Sequence, residues 1–183
     1  MPKPNNSWVH TFTGKHFDPL NPDPDLIDIR DVAHALSQQC RFIGHCKDFY
    51  SVAEHSVRVS RACAERDALA GLLHDAPEAY LHDLASPIKH AAGMERYREA
   101  EALLEAMIYG KWGLAPTMPA SVRKADKTLL NTEARDLFGG THVGWANPED
   151  VLIQTIRPVG APRAAEEWFL QRYRALTRVK VTA

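Results

Sequence analysis

The sequence predicts an all-α protein: a single helical bundle of about six helices, with a small N-terminal hairpin or loop as its cover. Three observations predict it. Apolar residues recur at helical spacing in one segment after another, as at Val52, Val59, Ala62 and Cys63, or at Val122, Ala125, Leu129 and Leu130. Helix signals punctuate these segments, from the capping box Ser51-Val52-Ala53-Glu54 to the breakers Gly113 and Pro116. At 183 residues the chain fits one domain and can bury a substantial core without staples.

Residues 8–17 alternate around Gly14 as a hairpin does, and the Pro-rich loop Asp18 to Pro24 follows. Asp31 is the expected N-cap of a first helix reaching about Gln39, with Val32, Ala35 and Leu36 inward. A short irregular stretch then carries Arg41 and His45. The Ser51 capping box, with Tyr50 and His55 at the staple positions, opens the next helix and puts His55 in its first turn. Asp67 is the expected cap of a third helix running through Leu72, Leu73, His74 and Asp75 toward Tyr80. Pro77 removes the hydrogen bond to Leu73 and kinks or ends that helix just beyond the His-Asp pair. Residues 94–112 read as a strong helix whose many charges form a solvated face. A helix from about Pro119 to Phe138 is ended by Gly139-Gly140. Residues 141–160, with Trp145 and Val151-Leu152-Ile153, read as loop or a short extended piece. A last amphipathic helix, about 162–176, packs Trp168, Phe169 and Tyr173 onto a core spanning about 29–137.

Chemistry enters where polar residues interrupt apolar faces. Leu69 to Leu73 has no polar side chain, yet His74 and Asp75 follow at once. An unpaired buried carboxylate costs several kcal/mol or takes up a proton, whereas a metal ligand is satisfied and stays ionised. Asp126 interrupts the stripe of Val122 and Leu130, and His55 that of Val52 and Val59. A lone histidine on such a face is usually a hydrogen-bonded core residue, and a lone Asp126 could pair with a neighbouring Arg or Lys. Three helices each placing a ligand-type residue where packing prefers Leu is a different matter. The set His55, His74, Asp75 and Asp126 is a mixed N/O donor group with positions left for water and substrate. It admits one divalent ion, Mn, Co, Zn, Fe or Ni, with Mg disfavoured by two imidazoles.

Composition narrows the partners. A formal net charge of −1 gives no basic stripe for long nucleic acid or an anionic membrane, so any nucleotide bound is expected to be small. No apolar run approaches the ~18 residues that span a bilayer, and the N-terminus lacks the apolar core of a signal peptide, which makes the cytoplasm the expected location. Cys40, Cys46 and Cys63 are odd in number and unpatterned, so they are expected to be reduced, with Cys63 in the core.

The segments Ser51-Val52-Ala53-Glu54-His55-Ser56, Leu72-Leu73-His74-Asp75-Ala76-Pro77-Glu78-Ala79-Tyr80, His82-Asp83-Leu84-Ala85-Ser86-Pro87-Ile88-Lys89 and Lys124-Ala125-Asp126 resemble the HD-domain metal-dependent phosphohydrolases. Within them they are most similar to the 5′-deoxynucleotidase-like branch and related small dNTP hydrolases. The resemblance covers about residues 29–137 and rests on four motifs in order. It implies an all-α HD fold, a divalent metal on His55, His74, Asp75 and Asp126, hydrolysis of a nucleotide phosphoester, and a homodimer. It also implies that Arg41 contacts phosphate, that Glu78 is the acid of the H-D-x-x-E motif, and that Asp83 is the acid of the next motif. There the chain departs from the family: His82 stands where Gly is usual and Ala85 where Pro is usual. The gap from His55 to His74 is also short.

The residues support these roles on their own terms. A metal brings water from a pKa near 16 toward ~7 and neutralises phosphoryl oxygens. Glu78, four residues after His74, is placed to move a proton on the same helical face. Arg41 suits bidentate phosphate binding with His45 assisting, Asp83 suits a sugar hydroxyl, and Lys89 is a further candidate substrate contact. The leading expectation is a phosphohydrolase of deoxynucleoside 5′-monophosphates. The alternatives are a dNTP triphosphohydrolase, a dinuclear centre using His82 and His90, and a non-catalytic nucleotide sensor.

Overall fold

The computed structural model describes residues 7–138 and 144–177. Strands β1 (Val9–His10) and β2 (His16–Phe17) pair antiparallel, Val9 against Phe17, around a turn in which Gly14 adopts φ +84°. This is the expected hairpin. It is pinned to α1 (Ile29–Gln38) by Asp31, whose carboxylate accepts from the Thr13 backbone N–H at 2.6 Å and the Thr13 hydroxyl at 2.9 Å. Asp31 is therefore not the N-cap. Asp28 takes that place, accepting from the Arg30 N–H at 3.0 Å, and Asp31 is a buried residue of the first turn. Two acids three apart both read as caps in sequence, and contact with the hairpin assigns them.

Helix α2 (Val52–Ala62) begins as expected, with the Ser51 hydroxyl accepting from the Glu54 N–H at 3.1 Å. Only half of the capping box forms, because the Glu54 carboxylate is taken by Arg58 at 2.6 Å and by the Val159 N–H at 3.0 Å. Helix α3 (Ala68–Leu73) stops earlier than expected. His74 and Asp75 lie in the turns after it, where Ala76 N–H bonds Leu73 O at 3.0 Å and Glu78 N–H bonds Asp75 O at 3.0 Å. Pro77 cannot supply the bond to Leu73 O, and the chain tightens into i→i+3 turns three residues ahead of it. Asp67 precedes α3 without capping it; its carboxylate accepts from the Ser121 hydroxyl instead.

Two single turns follow, α4 (Glu78–Leu81) and α5 (Ser86–Lys89), then the long α6 (Glu95–Lys111) and α7 (Ala120–Leu137). The charged face of α6 is not wholly solvated: Glu101 pairs with Lys89 at 2.5 Å, and Glu105 Oε1 is buried without a hydrogen-bond partner among the described residues. The Gly139-Gly140 stop lies outside the described residues. Residues 144–160 form no helix or strand and are strapped down by α7, as Arg135 donates to Leu152 O and Asp136 accepts from the Ile156 N–H. Helix α8 (Pro162–Thr177) packs on α1, α2 and α3. Phe169 is fully buried there, Trp168 lies under the guanidinium groups of Arg58 and Arg61, and the Tyr173 hydroxyl accepts from the Trp112 indole at 2.7 Å. Among the described residues the fold is thus an all-α bundle of six α-helices longer than one turn, plus the two single-turn helices, three short 3-10 segments and the hairpin. All three cysteines are free and partly buried.

Candidate metal centre

Helix α2 packs on α3 and α7, which gathers residues far apart in sequence. His55 Nε2 stands 3.3 Å from His74 Nε2, 3.1 Å from Asp126 Oδ1 and 3.6 Å from Asp75 Oδ2. His74 Nε2 is 3.2 Å from Asp75 Oδ1 and 3.9 Å from Asp126 Oδ1. One ligand atom from each of His55, His74 and Asp75 lies within 4.8 Å of the others, and both imidazoles are buried. Asp126 reaches both imidazoles but stands outside that tightest group.

The outer nitrogens decide what this group can hold. His74 Nδ1 donates to Gly71 O at 2.9 Å, and His55 Nδ1 donates to Glu133 Oε1 at 2.6 Å. A carbonyl and a carboxylate offer no proton, so each ring carries its own at Nδ1. Burial pushes the Glu133 carboxyl up, but Arg41 and His55 outweigh it and hold it below its usual range. Two Nε2 lone pairs therefore face each other 3.3 Å apart, ringed by carboxylates. That is repulsive unless a cation lies among them. Two nitrogens each about 2.0–2.1 Å from one ion stand about 3.3 Å apart, as these do. His55, His74 and Asp75 could hold a metal ion. In its absence a proton serves: burial and Arg41 lower the His55 pKa, Glu133 and Asp126 outweigh them, and it rises to about 9.

Arg41 comes to this centre, its Nη1 3.7 Å from Asp75 Oδ2. The following residues Phe42 and Ile43 both take left-handed backbone (φ 56° and 55°), a costly conformation for bulky side chains. Glu78 opens α4 after the turns, so the expected shared helical face with His74 does not exist. Its Oε2 is nonetheless buried without a partner among the described residues, and burial, Asp75 and Asp83 push its carboxyl well above the usual range. Asp83 is partly buried, its carboxyl raised by burial and by Asp75 against the pull of Arg41. His45 is exposed, and Lys89 is committed to Glu101. His82 and His90 are exposed and stand outside the cluster. A cavity of about 530 Å³ between the hairpin, α1 and α4 is lined by Glu78 and His82 but by none of the four ligand candidates.

No family model matches the chain. It is 37% identical over 182 residues to the uncharacterized protein YfdR of Escherichia coli, across 97% of this chain and 99% of that protein. The chain belongs to the YfdR family. An uncharacterized protein of Rhodobacter capsulatus is 34% identical over 193 residues, across 94% of this chain and 96% of its own length. Neither relative's name states an activity.

Two contributors escape a reading for ligand motifs. Glu133 lies on α7, seven residues after Asp126 and so on the same side two turns on. That spacing was the available signal. Gln39 follows α1; its amide donates to Glu78 O at 3.0 Å and accepts from the Asp83 N–H at 3.0 Å, tying down the segment that carries both acids. Nothing in the sequence around Gln39 marks it.

Proposed function

We propose that this protein is a metal-dependent phosphohydrolase that cleaves a deoxynucleoside 5′-monophosphate to nucleoside and phosphate. The observation that carries the proposal is the pair of facing Nε2 atoms, 3.3 Å apart, with Asp75 and Asp126 beside them and Arg41 at their edge. The order of the HD-type motifs adds to it. A divalent ion in that place, with His55, His74, Asp75 and Asp126 holding it, supplies Lewis acidity to a water and offsets charge on phosphoryl oxygens. Arg41 binds the phosphoryl group. Glu78, whose carboxyl is pushed well above its usual range by burial, Asp75 and Asp83, donates its proton to the leaving sugar oxygen. Asp83 accepts a hydrogen bond from the sugar.

Charge balance favours a monophosphate over a triphosphate. Asp75, Asp126, Glu133 and Asp83 gather around Arg41, which with one bound divalent ion would have to offset them, and Lys89 is paired with Glu101. Those carboxylates would repel three phosphates more than one.

The test is product analysis after chelator-stripped protein, with Mn²⁺ or Co²⁺ restored, meets each dNMP and dNTP separately. Orthophosphate and nucleoside from monophosphates are expected. Triphosphate release from a dNTP would replace the substrate assignment, and tight binding without turnover would make the protein a sensor. Asp126→Ala is expected to lose the metal. Glu78→Gln should keep it while losing about 10²–10⁴-fold in kcat; a fully active Glu78→Gln enzyme rules out the proton-donor role.

A further inference from the structure

One buried carboxylate joins the two functional halves of the site. Glu133 is fully buried. Its Oε1 accepts from His55 Nδ1 at 2.6 Å and from the Tyr50 hydroxyl at 2.8 Å, while its Oε2 accepts from Arg41 Nε at 3.1 Å. Both oxygens are engaged in different directions, which leaves the carboxylate no freedom to turn. We infer that Glu133 is a positioning residue for two sites at once, aiming the His55 imidazole at the metal and the Arg41 guanidinium at the anion beside it.

The geometry gives each half its reason. An imidazole can present either nitrogen, and the acceptor behind it decides which. Glu133 fixes the His55 proton at Nδ1 and so turns the Nε2 lone pair into the cluster. On the other side, a guanidinium anchored through Nε keeps its Nη edge in the plane of that bond, and here that edge faces Asp75, with Nη1 at 3.7 Å. The backbone around Arg41 does not hold the side chain by itself. It turns through left-handed Phe42 and Ile43, and its tie to Tyr50, where Arg41 N–H bonds Tyr50 O at 2.9 Å, brings a second Glu133 partner to the same place. A merely structural ion pair would predict lost stability on removal of Glu133, with metal and anion binding unchanged in whatever folds.

The identity of the anion rests on the phosphohydrolase reading, but the positioning of His55 does not. The experiment is therefore a binding measurement. Wild-type, Glu133→Gln and Glu133→Asp proteins are stripped of metal, checked for folding by circular dichroism, and titrated with Co²⁺ by calorimetry and visible absorption. Inorganic phosphate is then titrated into each Co²⁺-loaded protein. Gln keeps the shape but cannot accept from both His55 and Arg41 as a carboxylate does, while Asp keeps the charge and draws it back by one methylene. Both variants are expected to bind Co²⁺ about 10–100-fold more weakly with an altered visible spectrum, and to bind phosphate at least tenfold more weakly. Folded variants with wild-type Co²⁺ affinity, spectrum and phosphate affinity overturn the inference. If Glu133→Gln does not fold, Glu133→Asp decides by the same criteria. Wild-type protein that binds Co²⁺ and phosphate but hydrolyses no phosphoester sinks the proposed function and leaves the positioning role standing. An active wild-type enzyme with unperturbed Glu133 variants does the reverse.

Discussion

At the residue scale the behaviour of the protein without metal turns on the proton of His55, in the cluster that could hold a metal ion. His55 is fully buried, and Glu133 and Asp126 raise its pKa to about 9 against burial and Arg41. The ordinary imidazole value is 6.5. A group whose folded pKa is raised contributes stability that is complete below the unfolded value and is lost as pH rises through the folded one. Metal-stripped protein is therefore expected to lose stability between pH 6.5 and about 9, by up to about 3 kcal/mol for a shift of this size. Urea denaturation at a series of pH values measures it, and a flat profile in that window would refute it. Adding Co²⁺ should remove the slope, because the ion takes the place of the proton.

At the element scale the decisive segment is the run from Leu73 to Lys89, where a helix gives way to turns. A regular helix through Pro77 would have carried Glu78 on one face with His74; the turns instead deliver Glu78 to a buried position beside Asp75 and Asp83. His82 ends α4 at φ 71°, ψ 152°, a region that is essentially glycine's own. The backbone holds a glycine conformation there although the residue is His. Two bonds flank the strain: the Tyr97 hydroxyl donates to His82 O at 2.8 Å, and the Asp83 N–H bonds Gln39. His82→Gly is expected to stabilise the fold by about 1 kcal/mol, the strain relieved outweighing the entropy of a glycine in the unfolded chain. Chemical denaturation tests this, and destabilisation would mean that the His82 side chain contributes packing worth more than the strain.

At the scale of the whole molecule α8 closes the bundle. It covers α1, α2 and α3, and Arg172 reaches from it to Ser60 O at 2.9 Å and the Ser60 hydroxyl at 3.0 Å on α2. Helix α2 carries His55, so the packing of a C-terminal helix bears on the site although α8 supplies none of the ligand candidates. Phe169→Ala, at a fully buried position, is expected to cost about 3–5 kcal/mol. Thermal or urea unfolding reads the loss, and a cost below 1 kcal/mol would show that α8 is not integral to the core. Among the described residues no helix is long and apolar enough to cross a membrane.

The all-α class, the hairpin, the start of α2, the span of α7 and the polar interruptions at His55, His74, Asp75 and Asp126 were legible in the sequence, because each is a local matter of periodicity, capping or burial pattern. Which of Asp28 and Asp31 caps α1 was not legible, since both are suitable acids and the choice depends on a hairpin 18 residues away from Asp31. An interruption at Pro77 was legible, but the end of α3 at Leu73, ahead of His74 and Asp75 rather than beyond them, was not, because it depends on how the turns after Leu73 satisfy their own backbone. Glu133 was hidden for a similar reason. An acid at helical spacing from Asp126 has no meaning until α2 and the Arg41–Tyr50 segment pack around it, bringing partners from 78 to 92 residues away. Lys89 and His45 show the converse: both suit phosphate by charge type, yet folding gives Lys89 to Glu101 and leaves His45 exposed. A sequence determines which side chains are available and which faces of its helices must be buried. Which of those side chains meet is decided only by long-range packing, because hydrogen bonds and ion pairs act over a few ångströms in space and take no account of distance along the chain.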